Sequence, residues 1–489
     1  MSAIITNKFR KQSCERFIDD IVDANTDYFI GIGKTDKWPD TTELPEDSQL
    51  FSAPLPQGTI IEDADVLDNL ISLVKVTTQD RLIPRNSWLS GRIYKVYDPY
   101  DTLTFEAGGN EYPSYITIND NIYVCLGNNG GSASTDQPGT SYNTFDTDDH
   151  VLKTSDGYVW AFLQNNVTSS PFYTEEFIPV NADLVDKTDA KGATGGLLYN
   201  FRIENGGSSL DTILASIKLT GVDENGAAKT TIDLMDDDRF TVTIGGGDNS
   251  IQSIVYDDIN DAASPTDILT GYLKASVQAY DDSGNLIDTV IIKPLIAPIN
   301  GFGASPRSDL PSFYAGCYAS FKGTVDGEAL IDTHIRQVSL IKNPERSLDS
   351  PSRGDDGAVY EDEEALDAVN YIQLSTLASA DILPPGSLIS QAGRDGIAYV
   401  DKYDLARKRI YYHTNSNNEV TYNPFIVDED IIVTTIDGGT TETYIADNIQ
   451  GFVNSEYVHN TGEVLFIDHR KKITRNIDQT EDIKIVVQF

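Results

Sequence analysis

Apolar positions recur along this chain with two spacings, one helical and one of alternating or continuous strand type. The helical spacing appears twice, both times in the first half. After a short apolar lead, Ala3–Thr6, Asn7 is a helix cap, and Phe17, Ile18, Ile21 and Val22 share one face with Cys14 one turn earlier. Ala24-Asn25-Thr26 closes that helix. A second helix is predicted over about Glu62–Leu73, where Val66, Leu67, Leu70, Ile71 and then Val74 recur at helical spacing. Between the two, Tyr28–Gly33 (YFIGIG) reads as a buried strand, and Trp38-Pro39 opens a proline-rich loop that runs to Gly58. A strand-like KVTT follows the second helix and leads into Ile83-Pro84-Arg85-Asn86-Ser87-Trp88. From about residue 110 the pattern turns to β: Tyr115–Ile118, Ile122–Leu126 and Tyr158–Leu163 are short apolar runs separated by Gly, Asn and Asp turns. Gly127–Asp149, poor in apolar residues, reads as a long surface loop.

Two further blocks carry strands at close spacing. In about 195–300, Leu197–Ile203, Ser216–Leu219, Phe240–Ile244, Ile251–Tyr256, Ala275–Tyr280 and Val290–Ile292 are separated by glycine-rich turns, which predicts a small β-sandwich or barrel. Phe313–Phe321 and His334–Lys342 are strongly apolar and end at Asn343-Pro344; residues 345–364 read as an acidic linker. In about 368–448, Tyr371–Leu374, Leu388–Ser390, Gly396–Val400, Arg409–Tyr412, Ile431–Thr435 and Glu442–Ala446 fit a second small barrel. The closing stretch, Thr461–Phe489, has two apolar runs, Val464–Ile467 and Ile483–Val487, around a polar segment. Left unpaired, the last run would expose Ile483, Ile485 and Val487, so this stretch is expected to form a central part of the fold. The predicted class is mainly β and multi-domain. It has a discontinuous β-rich core (1–190, 305–345, 449–489), two helices in the N-terminal half, and two inserted small β-sandwich or barrel domains (195–300, 365–448). No repeat of fixed period, heptad or Gly-X-Y pattern is present, which argues against solenoids, propellers and fibres.

Composition narrows the function. With 489 residues, two to four domains are expected. The 36 Lys and Arg against 76 Asp and Glu give a net charge of −40. That excludes nucleic acid as an expected partner, because phosphate contacts need clustered cations, and equally an anionic membrane surface. Cys14, Cys125 and Cys317 are scattered, with no CxxC or Cys/His cluster, so neither a disulfide framework nor a zinc site is predicted; synthesis in a reducing cytoplasm fits. The start, MSAIITNKFRKQ, lacks the apolar core of a signal peptide, and no run reaches the roughly 18 apolar residues that span a bilayer.

Candidate chemistry is sparse. Gly31-Ile32-Gly33-Lys34-Thr35 approximates a phosphate-binding loop, but Tyr28 stands where the first glycine is required, and Asp36-Lys37-Trp38-Pro39 follows where a helix must begin. A strand end and turn is the expectation. The acidic clusters at Asp146–His150 and Asp233–Asp238 lack the alternating ligands, turn glycine and distal glutamate of a calcium loop. His150, His334, His413, His459 and His469 are dispersed, with no HExxH and no GxSxG. A carboxylate pair for glycoside hydrolysis has no signature among so many acids. No catalytic, cofactor-binding or metal residue, and no small-molecule substrate, is predicted. His469-Arg470-Lys471-Lys472 is a basic cluster in an acidic chain; it reads equally as a solvated turn and as a contact for an acidic neighbouring subunit.

Several short stretches together carry a resemblance. Ala3–Arg10, Phe29–Trp38, Val74-Lys75-Val76, Ile83-Pro84-Arg85 with Trp88, Tyr97-Asp98-Pro99-Tyr100, Asp156-Gly157-Tyr158-Val159-Trp160 and Arg336–Pro344 follow one another in order. Gly462-Glu463, Asp468-His469-Arg470, Ile473 and Asp478–Ile485 close the series. In this set and order the chain resembles the baseplate wedge subunits (gene 8 product) of T4-like contractile-tailed bacteriophages. It is longer than the T4-type member, with the extra residues falling at about 195–300 and 345–448. The resemblance implies a mainly β, dimeric virion protein without enzymatic activity or cofactor. Such a protein is made late in infection, assembled in the host cytoplasm, and bridges neighbouring wedge subunits in the tail baseplate through assembly and contraction. The alternative is a receptor-binding or glycan-degrading tail component whose β insert presents the binding face.

Overall fold

The computed structural model describes residues 7–38, 52–99, 111–138, 151–166, 168–183, 195–256, 269–322, 330, 333–347, 365–376, 383–391, 397–414, 425–426, 430–434, 441–445, 451–476 and 479–489. The protein is mainly β, with several separate antiparallel sheets and, among the described residues, three α-helices: α1 (Asn7–Val22), α2 (Ile60–Asp68) and α3 (Pro306–Asp309). The acidic cluster at Asp146–His150, the linker from 348 onward and parts of the second insert lie outside the described residues. The chain divides into two compact units. Met1–Arg16, Asp80–Ala315 and Val487–Phe489 form one; Phe17–Gln79 and Gly316–Val486 form the other.

The second unit is built on five strands: β1 (Tyr28–Gly33), β2 (Leu70–Lys75), β3 (Thr333–Lys342), β4 (Ala365–Asp367) and β5 (Glu463–Arg475), in the spatial order β4-β2-β1-β3-β5. Every residue of β1 is buried, with Ile30 opposite both Leu340 and Val74. Such two-sided burial explains its continuous apolar run. Gly33 is required here, because a Cβ would lie 2.3 Å from the carbonyl oxygen of Asn69. The predicted second helix is too long. α2 starts after Thr59, whose side chain accepts from the Glu62 amide, and ends at Asp68, where Asn69 caps it. Leu70–Lys75 is a strand instead, buried on both faces from Leu70 to Val74. An apolar run buried all round has no period that separates helix from strand.

Within 370–453 lies a seven-stranded sheet. Its order is Thr441–Ile445, Asp430–Thr434, Leu388–Gln391, Ile397–Asp404, Arg409–His413, Asn370–Gln373, Phe452–Val453. Its core is formed by Ile372, Ile389, Val400, Ile410, Ile431 and Val433, among others.

The C-terminal stretch departs from expectation in two ways. It is paired, but at sheet edges: β5 borders the five-stranded sheet, and β6 (Thr480–Gln488) is an edge strand beside Tyr314–Lys322. The basic cluster is also no turn, because β5 runs through it to Arg475. The pairing of β5 with β3 slips twice, between Leu340/Ile341 and between Ile335/Gln337. These bulges break the alternation and leave Leu465 and Phe466, neighbours in sequence, both exposed.

In the first unit, a five-stranded sheet (order Leu198–Gly206, Val290–Ile296, Lys274–Asp281, Leu214–Val222, Ile232–Asp233) is covered by the hairpin Phe240–Gly245/Ser250–Tyr256. Phe240, Ile251 and Ile254 share one core with Ile217, Leu219 and Ala279. A second sheet, ordered Tyr115–Ile118, Asn121–Asn128, Tyr158–Asn165, Val151–Lys153, stacks Tyr94, Tyr158 and Trp160 on one face. The α3 residue Asp309 is buried and accepts from the Gly303 amide at 2.9 Å. Burial pushes its carboxyl up to about 7. A raised folded value means that its contribution to stability is complete below about pH 4 and declines as pH rises through 7. Asp309→Asn is expected to flatten the fall in melting temperature of the wild type between pH 4 and 7. Parallel curves for the two proteins would show the assignment to be wrong.

Candidate functional site

The residues that sequence reasoning singled out fall into separate places, and one buried polar node in the second unit gathers several of them. The GIGKT stretch ends β1. Lys34 leaves the strand with φ 59°, its amide donating to the Asn69 carbonyl at 3.0 Å, and residues 34–38 are not helical. Lys34 Nζ pairs with Asp36 at 3.2 Å and lies over the Trp38 ring. These contacts leave no cradle of amides for a phosphate, in keeping with the strand-end reading.

Thr35 instead opens the node. Its hydroxyl donates to Asp401 Oδ1 at 2.6 Å, and His413 Nδ1 meets the same oxygen at 2.9 Å. Arg336 donates to the Thr35 carbonyl, and Tyr399 stacks on the His413 ring. Asn370 Nδ2 donates to His459 Nε2 at 3.3 Å, while Asp401 Oδ2 and His459 Nδ1 are buried without a hydrogen-bond partner. Asp401 is 1% exposed and His413 4%.

Electrostatics splits the two histidines. Burial alone lowers the His413 value, but the charge of Asp401 and its hydrogen bond more than reverse this, so His413 is held above the ordinary imidazole range. Burial, followed by the neighbouring His413, pushes His459 down to about 4. A depressed histidine costs stability as pH falls from about 6.5 to 4, because only the unfolded chain takes up the proton there. His413 acts oppositely: its contribution is complete below about pH 6.5 and is lost as pH rises through its folded value. His459→Gln is therefore expected to shallow the acid limb of the unfolding curve between pH 6.5 and 4 without altering the limb above pH 7. An unchanged acid limb would rule His459 out as its source.

At the node the Thr35 hydroxyl and the His413 imidazole share one acceptor, Asp401 Oδ1, and Thr35 donates to that carboxylate. Among the described residues no His, Cys, Asp and Glu group is arranged to hold a metal ion. Cys14, Cys125 and Cys317 are buried and form no disulfide; burial pushes the Cys14 thiol up to about 11. In the acidic cluster at Asp233–Asp238, Asp237 is held below the ordinary carboxylate range chiefly by Arg239, and Asp233 Oδ1 accepts from the amides of Ile217 and Met235. These acids close a turn. His334 Nδ1 lies 3.2 Å from Thr474 Oγ1.

His469 occupies a second site in the same unit. Its ring packs on Trp38 at 4.6 Å. Its Nδ1 lies 3.0 Å from the Pro54 carbonyl oxygen, and its Nε2 3.7 Å from Glu62. Sequence reading also passed over a second basic run, Arg407-Lys408-Arg409. There Arg407 pairs with Asp404 at 3.1 Å, Lys408 donates to the Ser375 carbonyl, and Arg409 bonds Gln373 and lies over Tyr371. That run is therefore engaged within its own sheet.

Compared with known proteins, the chain matches no family model and no curated protein. Among the described residues no helix is long and apolar enough to cross a membrane.

Proposed function

We propose that the chain is a structural subunit of a contractile phage tail baseplate, a dimer that bridges neighbouring wedge proteins in the virion and performs no catalysis. The observation that carries this reading is the position of the stretches that resemble the wedge family. Phe29–Gly33, Val74-Lys75, Arg336–Lys342 and Asp468–Ile473 lie far apart in sequence and occupy β1, β2, β3 and β5 of one five-stranded sheet, each except β2 and β3 adjacent to the next in that series. Colinear anchors that converge on one sheet are what a common core predicts.

The polar node supports the same reading. It joins the end of β1 to strands of the seven-stranded sheet through Thr35, Asp401 and His413, and its groups are buried and turned to one another. That is the chemistry of a rigid joint and not of a substrate cleft.

Co-expression with the other wedge proteins of the same phage tests the reading. A twofold complex that co-purifies with them and is placed in the baseplate by a density map of the intact tail is the expected result. Release of reducing sugar from host glycans, lost on replacing a carboxylate pair, would establish the glycan-degrading alternative instead.

A further inference from the structure

At His459 the buried node closes on the segment 455–461, which leads from the seven-stranded sheet to β5. Asn370, the first residue of the strand Asn370–Gln373, holds that segment at two points. Its Oδ1 accepts from the Ser455 amide at 3.0 Å, and its Nδ2 donates to His459 Nε2 at 3.3 Å. A backbone N–H can only donate, so the Ser455 amide fixes which end of the Asn370 side chain is oxygen. The NH2 end is therefore the one that faces His459. It follows that Nε2 is the bare, accepting nitrogen, and that the ring carries its proton on Nδ1, which is buried without a partner.

This arrangement admits only the neutral ring. A second proton would sit on Nε2 and meet the N–H of the Asn370 amide. Turning that amide over would set its NH2 against the Ser455 N–H, exchanging one donor–donor clash for another. The groups that face His459 offer no relief. His413 adds positive charge to the site, and Asp401 is engaged by Thr35 and His413 through Oδ1 and makes no hydrogen bond to His459 through Oδ2. The Tyr457 ring lies 5.5 Å from the His459 ring, and its hydroxyl donates to the Thr461 carbonyl. Lys34 and Asp36 face His413 from the end of β1. One further acid, Glu456, holds the same segment by accepting from the Asp367 amide at 3.1 Å.

We propose that 455–461 is an acid-released latch: uptake of one proton by His459 breaks its bond to Asn370 and opens this segment, while the seven-stranded sheet stays folded. Local opening coupled to the charge of one buried imidazole is a two-state device of the kind that histidine supplies. It goes beyond the assembly reading and does not rest on it.

Hydrogen exchange of the full-length chain, followed by mass spectrometry across the acid range and corrected for the intrinsic pH dependence of amide exchange, tests the latch. Closed, His459 is pushed down to about 4; open, it regains the ordinary 6.5. Opening of 455–461 is therefore expected to grow about tenfold per pH unit across that interval, roughly 300-fold in all. In His459→Gln the new side chain offers Asn370 an acceptor and takes up no proton, so the segment is expected to stay closed throughout. Asn370→Asp keeps an acceptor for the Ser455 amide and turns a second oxygen toward Nε2. The imidazolium is then held and not expelled, and protection is expected to persist as pH falls to about 4. A merely structural role for either residue would lower protection equally at every pH. An acid response retained in His459→Gln overturns the proposal and moves the trigger to Glu456. The wild-type onset in Asn370→Asp overturns it too, as does exchange of peptides from 397–413 in step with 455–461, which would be unfolding of the sheet. Either variant decides by itself, and none of these outcomes bears on co-purification with other wedge proteins.

Discussion

Asp401→Ala is expected to destabilise the second unit by about 3–5 kcal/mol, the usual cost of removing one partner from a buried charged pair. Asp401 Oδ1 accepts from both the Thr35 hydroxyl and His413 Nδ1. Without the carboxylate, a buried imidazole loses the group that holds its proton, and a buried hydroxyl loses its acceptor. His413→Asn should cost less, because the carboxylate keeps Thr35. The double variant should cost less than the sum, since both singles break the same contact. Hydrogen exchange of peptides from 397–414 and 28–35, with urea unfolding of the whole chain, provides the measurement. An Asp401→Ala loss under 1 kcal/mol, or strict additivity with His413→Asn, would show that the node contributes nothing to the joint.

The second large effect belongs to Asp156. Its Oδ2 accepts from the Ser134 hydroxyl (3.0 Å) and the amides of Thr135 (2.7 Å) and Asp136 (3.0 Å). Its Oδ1 accepts from the Thr154 hydroxyl and the Tyr158 amide. Through Ser134, which also accepts from the Trp88 indole at 3.1 Å, the carboxylate ties two loops to the Tyr94–Tyr158–Trp160 stack. Partial burial would raise its pKa, but these donors more than offset that and hold it below the usual carboxylate value. Its contribution to stability is therefore full above about pH 4 and lost as pH falls through the depressed folded value. Asp156→Ala is expected to cost about 2–3 kcal/mol at neutral pH, since several donors lose one acceptor and water replaces it only in part. Asp156→Asn should recover some of this, keeping one carbonyl oxygen. Thermal unfolding of the three proteins, with Trp88 fluorescence as the local reporter, distinguishes the cases; equal stability of wild type and Asp156→Ala would remove the carboxylate from any structural role.

Much of the fold was legible because two-sided burial and alternation leave direct marks on sequence. YFIGIG, the strands of 195–300 and HIRQVSLIK stand where their patterns put them. The misplaced boundaries occur where the pattern is ambiguous or broken. Leu70–Lys75 carries no period, so helix and strand could not be told apart. The 468–475 segment is polar because bulges turn successive side chains outward, which reads as a turn in sequence. The polar node was invisible for a related reason. The pairing of Ile397–Asp404 with Arg409–His413 slips between Val400 and Lys402, and the slip takes in Asp401, so its burial follows no alternation. Thr35, Asn370, His413 and His459 come from distant segments, and no spacing links them. The available signal was an acid directly after the apolar Ile397–Val400 and a histidine directly after the apolar Ile410–Tyr412. The turn at Ser283-Gly284-Asn285 was legible, but its likeness to the one at Asp223-Glu224-Asn225-Gly226 was missed. In both, the aspartate accepts amides two and four residues on, and a repeat of local chemistry without fixed period escapes a search by length.

The interleaving of the two units along the chain sets the timetable of biosynthesis. One unit needs Asn7–Arg16 and Val487–Phe489, and the other needs Phe17–Gln79 and everything from Gly316 to Val486. A ribosome emitting this polypeptide can therefore complete neither unit before the segment through Val486 has been translated. Pairing between segments so far apart in sequence slows folding and leaves the earlier strands without their partners meanwhile.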